Sequence, residues 1–170
     1  MRQVLLISSF LSLVSSLHAA PQLKLGQTTL TGRDVSNKVE FYGGIPFAEP
    51  PVGSLRLSRP IPKTQLHGRT FNASAYGKSC IQPAADPLSI SEDCLTINVY
   101  RPAGISSEER IPVLFWAYGG GFIVGSSSQF DGTSLVTRSI SRVPWTKFSF
   151  DYLSLTYSAG DAYDLCQLQL

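Results

Sequence analysis

The hydrophobic and polar pattern of the first hundred residues predicts several short strands. Residues 23 to 31 and 38 to 44 are rich in threonine, valine and aromatic residues, and the Gly43-Gly44 pair is expected to end the second strand. Residues 95 to 101 alternate, which predicts a half-buried strand that Pro102 ends. Its two faces carry Leu95, Ile97 and Val99 on one side and Thr96, Asn98 and Tyr100 on the other. Prolines recur between residues 46 and 65, so loop or extended chain is predicted there rather than helix.

The second half of the chain contains one continuous apolar run and one weak helical stripe. Residues 111 to 117 are nearly all apolar and do not alternate, so we predict a strand that lies deeper in the same sheet. Residues 131 to 141 have apolar positions at helical spacing, with Asp131 or Thr133 as the N-cap. The apolar positions of this stripe are Leu135, Val136 and Ile140.

Three consecutive glycines, residues 119 to 121, follow the apolar run. A buried strand that ends in glycines leaves backbone N–H groups uncovered at the edge of the sheet, and without Cβ atoms a substrate oxygen can approach them closely. Preorganised amides of this kind stabilise the negative charge of a tetrahedral intermediate. The pattern therefore predicts an oxyanion hole.

Phosphate binding is the competing interpretation of these glycines. A P-loop does not fit, because no Gly-Lys-Ser/Thr sequence follows them. The dinucleotide fingerprint does not fit either, because Val124 stands where its third glycine belongs. The residues thus favour an oxyanion hole over a nucleotide site.

Residues 1 to 20 have the pattern of a secretory signal peptide rather than of a membrane anchor. Arg2 precedes a short apolar run that continues to Leu17, and Ala19 and Ala20 supply the small residues of a cleavage site. Several serines between residues 8 and 16 make the run too short and too polar for a good spanning helix. We expect a secreted protein with no membrane span after signal cleavage.

In a secreted protein the cysteines can form disulfides and one asparagine can be glycosylated. Cys80 and Cys94 are natural disulfide partners in an oxidising compartment, whereas Cys166 stands alone near the end. A zinc site is the alternative, and it is disfavoured because the chain has no C-x-x-C and keeps only His67 after signal cleavage. Asn72 begins an Asn-Ala-Ser glycosylation sequon.

Composition and charge restrict the partners. The 170 residues are 43% hydrophobic and 15% charged, which is ordinary for one compact domain or part of a larger one. The net charge is +2 and the Lys and Arg residues are scattered, so we expect no nucleic-acid partner. No metal or organic cofactor is implied.

Four segments carry a family resemblance. They are FYGGIPFAEPPVGSLRLSRP (41 to 60), SEDCLTINVYRP (91 to 102), PVLFWAYGGGFIVGSS (112 to 127) and FDGTSLV (130 to 136). In this order they resemble the type B carboxylesterase and lipase family, the cholinesterase-like α/β-hydrolases. A single glycine triplet would be a weak signal, whereas four segments in order are specific.

The resemblance implies a fold, a substrate class and several residue roles. The fold would be α/β, a truncated N-terminal part of an α/β-hydrolase with a mixed, mostly parallel sheet, and the substrate would be an ester. The roles implied are oxyanion-hole amides for Gly120 and Gly121, the N-terminal disulfide for Cys80 and Cys94, and a partly buried structural salt bridge for Arg56 and Glu92.

The family pattern stops after Arg142. Residues 143 to 170 contain no histidine and no convincing G-x-S-x-G nucleophile elbow, although residues 148 to 152 faintly resemble the next strand of the family. We therefore divide the chain into a signal peptide (1 to 20), the N-terminal part of a carboxylesterase domain (21 to 142) and a divergent tail (143 to 170). We expect a truncated chain that is inactive on its own.

One serine of the tail imitates part of a nucleophile elbow. Ser158 stands before Ala159-Gly160, but Thr156 replaces the leading glycine of the motif. His67 also precedes the other components, whereas the histidine comes last in α/β-hydrolases. Ser158 is therefore interpreted as a chance match. Two alternatives stay open: a small esterase that uses Ser158 with His67, and a non-catalytic secreted binding protein on a hydrolase scaffold.

Overall fold

A computed structural model describes residues 19–106, 108–142 and 164–168. This part of the chain contains ten short strands and one α-helix. The strands are β1 Gln22–Leu25, β2 Thr28–Thr31, β3 Arg33–Ser36, β4 Val39–Pro46, β5 Thr70–Asn72, β6 Ser79–Cys80, β7 Ile90–Ser91, β8 Thr96–Pro102, β9 Val113–Ala117 and β10 Asp164–Leu168, and the helix is α1 Thr133–Arg142. The proline-rich stretch after β4 is mainly irregular, with one 3₁₀ turn at Gly53–Leu55.

The strands form three sheets, of which the largest positions the site. Its order is β3-β4-β8-β10-β9, and the smaller sheets are β1-β2-β5 and β6-β7. In the large sheet the first three neighbouring pairs are antiparallel, and only β10 and β9 run parallel. A mixed sheet is therefore present, but the described part is mainly antiparallel rather than mostly parallel. Antiparallel hairpins need only short connections, which suits the close spacing of β3 and β4 along the chain, whereas residues 47–95 separate β4 from β8.

Strand β4 runs further than the sequence predicts. The Gly43-Gly44 pair does not end it; a register shift between Tyr42 and Ile45 absorbs the pair, and Ile45 resumes pairing opposite Ile97. The shift also changes which side chains face which side of the sheet, as expected of a bulge. Phe41 and Tyr42 already lie in different hydrophobic clusters by ordinary alternation, and the shift places Ile45 in the same cluster as Tyr42.

Two hydrophobic clusters lie on either side of the large sheet. One contains Val39, Phe41, Tyr100 and Val136, and the other contains Leu30, Tyr42, Ile45 and Ala73. Helix α1 covers the first cluster through Val136 and Ile140. Asp131 caps the helix, since its Oδ1 accepts a hydrogen bond from Thr133 N at 2.8 Å. Leu135 of the predicted stripe is instead 37% exposed.

Strand β8 alternates as predicted, but both of its faces are covered. Ile97 and Val99 pack against the second cluster, while Thr96, Asn98 and Tyr100 are buried on the opposite face. Polar side chains are therefore inside. Asn98 is satisfied there, since it accepts from Gly44 N at 2.9 Å and donates to Ser127 Oγ at 2.8 Å.

The prediction of a deep strand at residues 111 to 117 is wrong for the described part of the chain. Strand β9 is the outermost strand of the large sheet. Leu114 and Trp116 pack against the first cluster, whereas Val113 and Phe115 are 58% and 48% exposed. A continuous apolar run is typical of a strand covered on both faces, and here only one face is covered by described residues.

The tail contributes one strand. Residues Asp164–Leu168 form β10, which lies between β8 and β9 with Cys166 opposite Val99 and Phe115 in register. The faint strand expected at residues 148 to 152 lies outside the described residues.

Candidate functional site

The glycine loop, residues 119 to 125, leaves the end of β9 in a closed conformation. Gly120 and Gly121 have φ angles of +147° and +64°, and Gly125 has φ +143°. The carbonyl oxygen of Gly120 accepts hydrogen bonds from Ile123 N at 3.1 Å and from Val124 N at 3.2 Å. The loop therefore folds back on its own beginning.

The two central glycines are required for different reasons. A Cβ added at Gly120 would lie 1.5 Å from the carbonyl oxygen of Val124, so no other residue fits in this conformation. A Cβ at Gly121 would meet nothing within 4 Å. Gly120 is thus needed for the loop to close, and the space beside Gly121 is open to a ligand.

The backbone N–H groups of Gly120 and Gly121 face no protein acceptor within residues 19–106, 108–142 and 164–168. Both residues are exposed. Adjacent backbone N–H groups without a protein acceptor are the kind of donor that can bind an anionic oxygen. Beside them, Phe122, Ile123 and Val124 are exposed apolar side chains.

Side chains from the segment around β6 hold the far end of the loop. Gln82 Oε1 accepts from Gly125 N at 2.7 Å, and Gln82 Nε2 donates to Gly125 O at 2.9 Å. Ser79 Oγ donates to Ser126 Oγ at 2.9 Å. The loop is therefore fixed at its base by strand β9 and at its far end by residues more than forty positions earlier in the chain.

Tyr118 directly precedes the glycine loop and has an uncharged phenol. Burial raises the pKa of its phenol above the ordinary value, and the ring lies directly against Gly125, where an added Cβ would come within 2.7 Å of it. A tyrosine with a raised pKa stays protonated at neutral pH. No phenolate charge from Tyr118 thus opposes an anion at the glycine amides.

Cys80 and Cys94 form a disulfide in the structure, with an S–S distance of 2.03 Å. Gln82 follows Cys80 by two positions, and its Nε2 also lies 3.3 Å from the carbonyl oxygen of Cys80. The disulfide therefore anchors the segment that holds the glycine loop.

Arg56 and Glu92 are paired, but they are not buried. Arg56 Nη2 lies 2.8 Å from Glu92 Oε1, and the side chains are 64% and 37% exposed. Exposed pairs contribute about 0.2–1 kcal/mol. The pair is more exposed than the partly buried pair that the resemblance implies, so a loss smaller than several kcal/mol is expected when it is broken. The more buried ion pair in this region joins Lys63 Nζ to Glu49 Oε2 at 2.7 Å, with Lys63 only 10% exposed.

Of the three remaining sequence-predicted residues, the structure describes His67 and Asn72. His67 is exposed, and Ser158 lies outside the described residues. Asn72 ends β5 and is exposed, with its Oδ1 accepting from Ser74 N at 3.0 Å. Its side-chain nitrogen is thus accessible.

Metal and membrane features are also absent from the described residues. Across 19–106, 108–142 and 164–168, no cluster of three His, Cys, Asp or Glu side chains could hold a metal ion. In the same residues, none of the helical structure has the length and apolarity needed to cross a bilayer.

Comparisons with known proteins identify the family of this chain. The sequence model of the carboxylesterase family matches residues 19–143. The chain belongs to the carboxylesterase family.

The relatives include fungal lipases and a mammalian esterase. The chain is 40% identical over 144 residues to the secreted triacylglycerol lipase LIP1 of Gibberella zeae, covering 72% of this chain and 24% of that protein. It is 39% identical over 155 residues to Lipase 5 of Diutina rugosa, covering 76% and 28%. Carboxylesterase 1E of Mus musculus is 36% identical over 115 residues, with 59% and 20% covered. The chain spans about a quarter of the length of the first two relatives.

Solved structures show the same relationship. Aspergillus niger EstA superposes with a TM-score of 0.68 at 27% identity, covering 89% of this chain and 26% of that chain. Geobacillus stearothermophilus carboxylesterase EST55 superposes with a TM-score of 0.65 at 26% identity, covering 87% and 26%. The fold is therefore part of an α/β-hydrolase, as the resemblance implies.

Sequence reasoning missed Gln82. Its partner, Gly125, is 43 positions away, and no local pattern connects the two residues. The available signal was only its position two residues after a disulfide cysteine.

Proposed function

We propose that this chain carries the oxyanion-hole half of a secreted carboxylic ester hydrolase. The backbone N–H groups of Gly120 and Gly121 would bind the carbonyl oxygen of an ester as it becomes negative. The observation that carries the proposal is a pair of adjacent, acceptor-free amides in a loop that is fixed at both ends. Membership of the carboxylesterase family supports the reaction class.

The proposed reaction is acyl transfer. A serine oxygen attacks the ester carbonyl, the carbonyl oxygen takes up negative charge, and the alcohol leaves; water then releases the acid by the same route. The glycine loop performs one part of this sequence, since its donors gain strength as the charge develops. The described residues supply no assigned serine or histidine for this reaction, in keeping with the proposed inactivity of the chain on its own.

An apolar ester is the substrate class that the loop favours. Phe122, Ile123 and Val124 are exposed beside the amides, with Phe122 fully so. Apolar side chains next to an oxyanion site would contact the hydrocarbon part of an ester. Similarity to a secreted triacylglycerol lipase supports a lipid-like ester and an extracellular location.

Anion binding provides the first test on the 170-residue chain. Butylphosphonate, a tetrahedral anion, is titrated while the ¹H–¹⁵N signals of the glycines are followed by NMR. We expect saturable shifts at Gly120 and Gly121. The Gly121→Ala variant should bind about tenfold more weakly or worse, because its Cβ fills the open space and loss of one charge-assisted hydrogen bond costs at least about 1.5 kcal/mol.

Gly26→Ala is the matched control for this titration. Gly26 has φ +59°, close to the +64° of Gly121, and also has no neighbour within 4 Å of an added Cβ. Both alanines carry the same backbone strain, so only the local role differs. Equal phosphonate binding by the two variants, or no shift at Gly120 and Gly121 in the unsubstituted chain, would contradict the proposal.

Ester turnover tests the proposed inactivity of the chain on its own. We expect the secreted chain to hydrolyse p-nitrophenyl butyrate no faster than buffer, and the Ser158→Ala variant to be indistinguishable from it. Turnover that Ser158→Ala abolishes would instead establish the small-esterase alternative. Binding of a protein partner without turnover or phosphonate binding would favour the non-catalytic scaffold.

A further inference from the structure

We infer that Gln82 is a positioning residue for the oxyanion-hole amides, an inference that rests on the proposed function. Its side-chain amide makes two hydrogen bonds of opposite direction to a single residue, Gly125, at 2.7 and 2.9 Å. Only a side chain that both donates and accepts can do this. Gln82 thus binds both the N–H and the C=O group of Gly125, as the backbone of a neighbouring β-strand would.

Gly125 is the residue through which this contact reaches the donors. Its Cα packs so closely that an added Cβ would lie 2.8 Å from the carbonyl oxygen of Gly119 and 2.7 Å from the Tyr118 ring. The two ends of the glycine loop therefore touch at Gly125. Since the amides of Ile123 and Val124 bind back to Gly120 O, a fixed Gly125 restricts where Gly120 can lie.

The disulfide gives Gln82 a firm support. Cys80 is covalently joined to Cys94, which directly precedes the segment leading into β8. Gln82 lies two residues from that bond and is half-buried. Ser79 makes a parallel contact, but its partner is Ser126, which lies beyond the loop. Gln82 thus contacts the loop itself.

Backbone dynamics test the inference in the full 170-residue chain. ¹⁵N relaxation is measured for Gly120 and Gly121 in the unsubstituted chain and in Gln82→Met, which keeps the shape but neither hydrogen bond. We expect order parameters typical of rigid backbone, about 0.85, to fall below about 0.6 in the variant. Butylphosphonate affinity should fall about tenfold, the equivalent of one lost hydrogen bond to a charged group.

Gln129→Met is the matched control, because Gln129 is an exposed glutamine just beyond the loop. It should leave order parameters and affinity unchanged. Gln82→Glu adds a readout that general destabilisation would not produce. Ionised glutamate cannot donate to Gly125 O, whereas protonated glutamate can, so rigidity should return as the pH falls through the carboxyl pKa, ordinarily about 4.3.

The outcomes separate this inference from the proposed function. Unchanged order parameters at Gly120 and Gly121 in Gln82→Met would overturn the inference, as would a Gln82→Glu variant whose dynamics do not depend on pH. If the unsubstituted chain binds no phosphonate, the proposed function fails. The role of Gln82 in holding the loop is then decided by the relaxation measurements alone.

Discussion

Separate replacement of Gly120 and Gly121 with alanine tests the closed conformation of the glycine loop most directly. The two residues are adjacent and exposed, and both have positive φ angles. They differ in their surroundings, because an added Cβ would lie 1.5 Å from Val124 O at position 120 and would meet nothing within 4 Å at position 121. We therefore expect two neighbouring substitutions of the same kind to differ strongly in their effect on stability.

The magnitudes follow from these contacts. Gly121→Ala carries only the strain of a left-handed conformation, about 1–2 kcal/mol. Gly120→Ala cannot keep the loop closed, so it loses the hydrogen bonds from Ile123 N and Val124 N, each contributing about 0.5–1.5 kcal/mol, in addition to backbone strain of about 1–3 kcal/mol. The expected loss for Gly120→Ala is about 2–6 kcal/mol.

Urea unfolding followed by far-UV circular dichroism measures both effects. The free energy of unfolding is extrapolated to water for the unsubstituted chain, the two variants and the Gly26→Ala control. We expect Gly121→Ala and Gly26→Ala to be alike and Gly120→Ala to be the least stable. A Gly120→Ala protein as stable as Gly121→Ala would refute the closed loop, and with it the placement of the two donors.

Three further predictions concern the framework around the loop. Serine at both Cys80 and Cys94 should lower the free energy of unfolding by about 3 kcal/mol, because the disulfide closes a loop with a sequence separation of 14; urea unfolding of that variant measures the loss, and an unchanged midpoint would contradict it. Asn72→Gln and Ser74→Ala should each abolish the gel shift produced by peptide N-glycosidase F in protein secreted from eukaryotic cells, since Asn72 is exposed; a shift that persists in both variants would contradict this. The free energy of unfolding should fall as the pH rises above about 10, because burial raises the pKa values of Tyr42 and Tyr100 in the folded state, with a further contribution from Glu40 at Tyr42 and from Tyr76 at Tyr100. The unfolded chain therefore loses these two protons at lower pH than the folded chain, which costs up to about 1.4 kcal/mol of stability per tyrosine and pH unit. A Tyr42→Phe and Tyr100→Phe double variant should show a shallower fall in urea midpoint between about pH 8 and about pH 11.

Local sequence patterns predicted where strands and helices form better than they predicted which of their residues are buried. The alternation of residues 95 to 101 corresponds to β8, and the stripe at residues 131 to 141 corresponds to α1. Alternation does not say what covers each face, however, so it did not show that Thr96 and Asn98 would be buried. The apolar run before the glycines predicted a strand but not its position at the edge of the sheet, because that position depends on which strand lies beside it.

The glycine triplet could be found from sequence because its chemistry is local. A strand followed by three residues without Cβ atoms already exposes backbone donors. The contacts that hold those donors are not local: Gln82 reaches Gly125 across 43 positions, and Asn98 reaches Ser127 across 29. Side chains of this kind have no characteristic spacing, so only the folded structure places them.

The residues that hold the glycine loop and the segment after it come before the loop in the sequence. Gln82, Ser79 and the Cys80–Cys94 disulfide all precede the glycine loop in sequence, and so does Asn98 on β8. These contacts are all present in a chain that spans about a quarter of the length of its fungal relatives. An oxyanion hole stabilises charge best when its donors are fixed before the charge appears. The side chains that contact the glycine loop here all lie within the described residues, so under the proposed function the two amides can be ordered without the serine or the histidine.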